Sequence, residues 1–79
     1  MIDIAELIQK IYDRAASIGL KKCRVYLVPP YKGSGLWHTW FSYVPPNKGS
    51  RNGKFANRPT PDDGLRELLE VLKNPEEFK

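Results

Sequence analysis

Residues 22–46 read KCRVYLVPPYKGSGLWHTWFSYVPP and contain two apolar segments that each end in a proline pair. In the first segment, residues 22–28, apolar side chains alternate with basic and aromatic ones. The two alternating sets are Cys23, Val25 and Leu27, and Lys22, Arg24 and Tyr26. This period of two predicts a half-buried strand with a basic and aromatic outer face. Pro29-Pro30 ends the strand, because proline cannot donate a ladder hydrogen bond.

The second segment, residues 36–44, predicts another strand from its aromatic and β-branched content. Pro45-Pro46 ends it in the same way. Its alternation allows two orientations in the sheet. One side would carry Trp37, Thr39, Phe41 and Tyr43, and the other Leu36, His38, Trp40 and Val44. An optional third strand covers residues 53–57.

Amphipathic helices flank these strands. Residues 3–18 place apolar side chains at helical spacing, with Asp3 as the N-cap of a capping-box pattern and Gly19 as the stop. Residues 61–73 form the second helix, capped by Thr60. The apolar stripes are Ile4, Leu7, Ile8, Ile11, Ala15 and Ile18 in the first helix, and Leu65, Leu68, Leu69 and Leu72 in the second.

The expected fold is therefore a small α+β domain spanning residues 1–79, in the order helix, strand, strand, optional strand, helix. Both helices would pack on one face of a short antiparallel sheet, with the other face open. A short C-terminal tail would follow, with Phe78 folding back as an anchor. The N-terminus does not resemble a signal peptide, and the apolar runs are far shorter than a membrane span. A cytoplasmic protein without a membrane segment is the expectation.

Charge is distributed very unevenly along the chain. Between Asp13 and Asp62 there is no acidic residue, while most of the 13 lysines and arginines and most of the aromatic side chains lie in that interval. The net charge of +4 conceals this separation. Cations neutralise phosphates and aromatic rings stack on bases, so the combination indicates a nucleic-acid-binding surface. The candidate binding residues are Lys22, Arg24, Tyr26, Lys32, Trp40, Lys48, Arg51, Lys54 and Arg58.

Two of these lysines lie in a repeated sequence. Val-Pro-Pro-Tyr-Lys-Gly-Ser over residues 28–34 recurs as Val-Pro-Pro-Asn-Lys-Gly-Ser over residues 44–50. One interpretation is that such residues are common in turns. The other is that both turns present a lysine, a glycine and a hydroxyl to phosphates.

The sequence predicts no catalytic residue, no metal ligand set and no cofactor. His38 is the single histidine, and a structural or stacking role is favoured over acid–base catalysis. Cys23 is the single cysteine and is expected in the core. The paired acids Asp62-Asp63 and Glu76-Glu77 each follow a proline at a helix start, where they complement the helix dipole.

Lys32-Gly33-Ser34 precedes the strand that carries His38. This placement and the order of elements resemble the HicA toxins, mRNA interferases with a small double-stranded-RNA-binding-like fold. In that family the histidine directly follows the serine, whereas His38 lies four residues after Ser34. The resemblance would imply an RNase with His38 as its acid–base group.

The leading functional expectation is a non-enzymatic nucleic-acid-binding module. An alternative is a small regulator or inhibitor, of viral or mobile-element type, whose basic-aromatic face docks on an acidic protein. The HicA-like RNase is the third. DNA versus RNA, single versus double strands and the oligomeric state stay open at this point.

Overall fold

The computed structural model describes residues 3–74 and 76. The elements are helix α1 (Ile4–Ser17), strands β1 (Lys21–Val28), β2 (Trp37–Val44) and β3 (Asn52–Arg58), and helix α2 (Pro61–Leu72). The expected α+β order is confirmed, and the optional third strand is present. Within the described residues, neither helix is long and apolar enough to cross a membrane.

Helix α1 begins and ends differently from a simple capping-box helix. Asp3 occupies the N-cap with an extended backbone, but its side chain makes no capping hydrogen bond with the described residues, so this part of the prediction was wrong. At the other end, the Leu20 amide donates to the Ala15 carbonyl (3.0 Å) and the Gly19 amide to the Ala16 carbonyl (3.1 Å). These two bonds form a Schellman motif, which requires the left-handed conformation of Gly19 (φ +87°).

Helix α2 starts as its sequence predicts. The Asp63 amide donates to Thr60 Oγ1 at 3.4 Å, and Pro61 takes the first helical position. Asp62 and Asp63 then lie in the first turn, where negative charge complements the helix dipole. The expected anchor, Phe78, lies outside the described residues.

The sheet is an antiparallel meander with strand order β1-β2-β3. In β2, Phe41 pairs with Val25 on one side and with Lys54 on the other. Its neighbour Trp40 pairs with Tyr26 and Phe55. Because paired residues project on the same side of a sheet, the register assigns every strand residue to one of two faces.

The orientation of β2, which its alternation left undecided, is fixed by burial. Thr39, Phe41 and Tyr43 are buried under the helices, and Trp40 projects to the opposite side. We call that opposite side, which neither α1 nor α2 covers, the open face. The side of β2 with more aromatic residues is the buried one, because a domain this small needs their volume to fill its core.

The core lies between the two helices and the sheet. Its buried side chains are Leu7, Ile11, Ala15, Leu20, Phe41, Tyr43, Leu65, Leu68 and Leu72. Ile8, although part of the α1 stripe, is only partly buried against this cluster. Helix α2 approaches β2 closely, since a Cβ added at Gly64 would lie 2.2 Å from Thr39 Oγ1. Helix α1 also covers the outer edge of β1, where the Val25 amide donates to the Tyr12 hydroxyl at 3.0 Å.

Candidate functional site

Three aromatic side chains form a row across the middle of the open face. Tyr26, Trp40 and Phe55 come from the three strands and are direct cross-strand partners. They are exposed by 44%, 39% and 63%, whereas Phe41 on the other face is completely buried. The Trp40 and Phe55 rings stack with their centroids 5.8 Å apart and their planes 16° apart. We refer to these three residues as the aromatic row.

Gly53 determines the position of the tryptophan in this row. A Cβ at this position would lie 2.3 Å from Cζ2 of Trp40. The indole lies directly against the backbone of β3, so a side chain at position 53 would displace it. The position of Trp40 in the aromatic row therefore depends on glycine for steric reasons rather than for backbone conformation.

Cations gather at one end of the open face. Arg24 is exposed and pairs with Ser42 across β1 and β2. Nη1 of Arg51 donates to Ser42 Oγ (2.7 Å) and to the Lys22 carbonyl (2.9 Å). These bonds hold the Arg51 guanidinium beside Arg24, at a point where β1 is irregular and Lys22 has a φ of 51°. Lys48 lies in the loop that leads from β2 toward Arg51. At the irregularity of β1, Lys21 pairs with Val44 and so lies on the open face. Lys22 and Cys23 together lie opposite Tyr43, so the predicted alternation of Lys22 with Arg24 and Tyr26 was wrong at Lys22. We call the set of Lys21, Arg24, Lys48 and Arg51 the cationic end.

The opposite end of the open face is neutral. His38 and Asn57 are cross-strand partners, and His38 Nδ1 lies 2.6 Å from Asn57 Oδ1. Together with Trp40 and Phe55 they line a hollow of about 360 Å³. Beyond it, the loop from β1 to β2 carries Lys32 next to Tyr31, which is 80% exposed.

Besides Lys22, two candidate residues from the sequence analysis do not join this surface. Lys54 pairs with the buried Phe41, so it projects toward the helix side of the sheet. Arg58 pairs with Trp37 and forms an ion pair with Glu67 of α2. A strand alternates its side chains between two faces, and these two cations have the wrong parity for the open face.

The two Lys-Gly-Ser turns are also far apart. One lies in the loop from β1 to β2 and the other in the loop from β2 to β3, so they stand at opposite ends of the eight-residue strand β2. At about 3.3 Å per residue, that strand separates them by about 25 Å. Lys32 and Lys48 therefore do not share one phosphate.

Sequence reasoning missed two residues of the open face, Phe55 and Asn57. Both belong to β3, whose polar residues and central glycine weaken the strand pattern. The alternation of a strand would have indicated them, because Gly53, Phe55 and Asn57 lie on one side of β3 and Lys54 and Ala56 on the other. Once β3 is accepted as a strand, this alternation places Phe55 beside Trp40.

The electrostatics of the sheet follow from the missing acids. Residues 21–58 contain all three strands and both loops, and they include no aspartate or glutamate. Cys23 lies among these residues. Burial raises the pKa of its thiol, and the positive charge of Arg51 offsets this only in part. Among residues 3–74 and 76, no three His, Cys, Asp or Glu side chains converge on a point that could hold a metal ion.

No protein-family model matches this chain, and neither the curated proteins nor the solved structures compared with it include a match. The functional argument therefore rests on the chemistry of the open face.

Proposed function

We propose that this protein binds nucleic acid through the open face of its sheet and that its preferred ligand is single-stranded. The observation that carries the proposal is the aromatic row of Tyr26, Trp40 and Phe55, exposed in the middle of a sheet that has no acidic residue. A contiguous group of exposed apolar side chains often marks a binding surface, whereas single exposed apolar residues are common on any protein.

Single strands suit this row better than duplexes do. In a duplex the bases are stacked on one another and only their edges are accessible, whereas an unpaired base can stack on an aromatic ring. Each such stack contributes about 1–3 kcal/mol and tolerates any base. Because the aromatic row crosses all three β-strands, it would favour a single-stranded nucleic acid that runs across the sheet.

The cationic end supplies the attraction to phosphate. Arg24 and Arg51 lie side by side next to the aromatic row, and Arg51 is fixed by two hydrogen bonds. A guanidinium held in place loses less side-chain entropy when it contacts a phosphate. With Lys21, Lys48 and Lys32, five cations surround the row, and contacts from four or five of them imply a log–log salt slope of about −3 for a single strand.

The test is a salt titration of fluorescence anisotropy with labelled single-stranded DNA, single-stranded RNA and duplex DNA. We expect tighter binding to the single strands and a salt slope near the value given above. Trp40→Ala should weaken binding at every salt concentration without changing the slope, because stacking releases no counterions. Arg24→Ala should instead reduce the slope.

Two results would contradict the proposal. If the native protein binds none of these ligands at low salt, the nucleic-acid function is wrong, and an acidic protein partner for the same face takes its place. If labelled RNA is cut during the titration and His38→Gln abolishes the cutting, the protein is an RNase rather than a non-enzymatic binder.

A further inference from the structure

The hollow beside the aromatic row has a composition that differs from the rest of the surface. Its four lining residues, His38, Trp40, Phe55 and Asn57, include two aromatic rings and two hydrogen-bonding side chains but no lysine or arginine. Phosphate binding calls for cations or several converging amides. A planar, neutral group that can both stack and hydrogen-bond fits this lining better.

We infer that this hollow is a nucleobase subsite and that the His38–Asn57 pair reads the edge of the base that occupies it. The inference rests on the proposed single-strand binding and adds to it a source of base preference. The rest of the open face offers stacking and phosphate contacts, neither of which reads the hydrogen-bonding groups of a base.

The hydrogen bond between the two side chains determines which hydrogen-bonding groups remain available to a ligand. Asn57 Oδ1 can only accept, so the hydrogen of the 2.6 Å contact belongs to His38 Nδ1. In the neutral ring, Nε2 of His38 is then an acceptor. The amide nitrogen of Asn57 keeps its two hydrogens and is a donor. The pair thus presents an acceptor and a donor, held together by their mutual bond.

An unpaired base presents the complementary arrangement. Each base carries a donor next to an acceptor on the edge that it uses for pairing, and a duplex hides that edge. The four bases differ in the spacing and type of these groups, so a fixed donor–acceptor pair will not bind them equally. The stacked rings of Trp40 and Phe55 adjoin this pair on the same face, because positions 38 and 40 of β2 and positions 55 and 57 of β3 share parity.

The experiment compares binding of labelled homopolymers of A, C, T and U by the native protein and by His38→Phe and Asn57→Leu. These substitutions keep much of the bulk of each side chain and remove its hydrogen-bonding groups. Val28→Ala is the matched control, because Val28 is the other cross-strand partner of His38 and does not line the hollow. Circular dichroism of each variant reports whether the fold is retained.

We expect the native protein to rank the homopolymers over about a tenfold range, the effect of one or two net hydrogen bonds. Each hollow variant should compress that range to about twofold, while the control keeps it. If the native protein does not distinguish the homopolymers, or if the hollow variants keep the native ranking, the subsite is wrong and the proposed function stands. If no homopolymer binds, both fail.

His38 also allows a test that needs no substitution, because it is the only histidine in the chain. Nitrogen-15 spectra of the imidazole should show hydrogen on Nδ1 in the free protein and a shift of the Nε2 signal when the preferred homopolymer is added. An Nε2 signal that does not respond to saturating homopolymer would overturn the subsite, even in a case where the variants do not fold.

Discussion

At the scale of single residues, Gly53 allows the Trp40 ring of the aromatic row to lie against β3. Gly53→Ala would bring a methyl group into the space of the Trp40 ring, 2.3 Å from Cζ2. We expect the indole to move off β3, with a loss of about 1–3 kcal/mol in the free energy of unfolding. Single-strand affinity should fall as it does for Trp40→Ala.

Gly49→Ala is the control for this prediction, because no atom lies within 4 Å of a Cβ at Gly49. Its unfolding free energy should stay within about 0.5 kcal/mol of the native value. Urea denaturation and anisotropy titrations measure both quantities. A Gly53→Ala protein with native affinity would show that the position of the indole does not matter for binding.

The two turn lysines should differ in how their effects depend on ligand length. Lys48 belongs to the cationic end, whereas Lys32 lies at the opposite end of the sheet. Lys48→Ala should lower the magnitude of the salt slope by about 0.7 on short and long oligonucleotides alike. Lys32→Ala should do so only for oligonucleotides long enough to reach from the aromatic row to the loop between β1 and β2.

Lys54→Ala serves as the control for the turn lysines. It also tests whether Lys54, a candidate binding residue in the sequence analysis, contributes to binding. Because Lys54 projects to the helix side, its loss should leave the slope unchanged. Salt titrations on oligonucleotides of about 4 and about 16 nucleotides, the range of single-strand site sizes, separate these cases. An equal effect of Lys32→Ala on both lengths would contradict the arrangement.

At the scale of elements, α1 is joined to the rest of the domain mainly through one apolar stripe. Ile11 is completely buried in that stripe, and Ile8 is only partly buried. Ile11→Ala should lower the free energy of unfolding by about 2–5 kcal/mol, a large share of the total for a domain of this size.

Ile8→Ala removes the same atoms from a half-buried position and should cost clearly less. Urea denaturation of the two variants, with equal m-values required for a valid comparison, measures the difference. Equal losses would mean that the helix does not pack with the orientation described.

The same elements show how far the sequence can predict the fold. The helical stripes and the alternation of β1 predicted their elements because each pattern is local. The facing of β2 was not predictable, since both of its sides carry aromatic residues, and only the volume of the core decides which side is buried. The hollow was missed because it depends on β3, where Gly53 and Asn57 look unlike strand residues until the register with β2 is known.

At the scale of the whole molecule, the basic middle of the chain turned out to have two sides. Alternation divides the cations predicted from sequence between the open face and the helix side. Lys54 and Arg58 went to the helix side, where Arg58 meets Glu67. A charge count along the chain does not distinguish odd from even strand positions, so it does not show which cations share a surface.

The separation of charge also gives the molecule a large dipole moment. Residues 21–58 carry eight lysines and arginines and no acid, whereas α2 carries four acids and one arginine. A polyanion would therefore orient the protein before contact, so that the sheet faces the polyanion and the helices face away from it. Orientation before contact raises the association rate constant and leaves the dissociation rate constant nearly unaltered. Stopped-flow mixing at rising ionic strength should show a falling association rate constant and a nearly constant dissociation rate constant. If only the dissociation rate constant changes with ionic strength, this orientation effect is excluded.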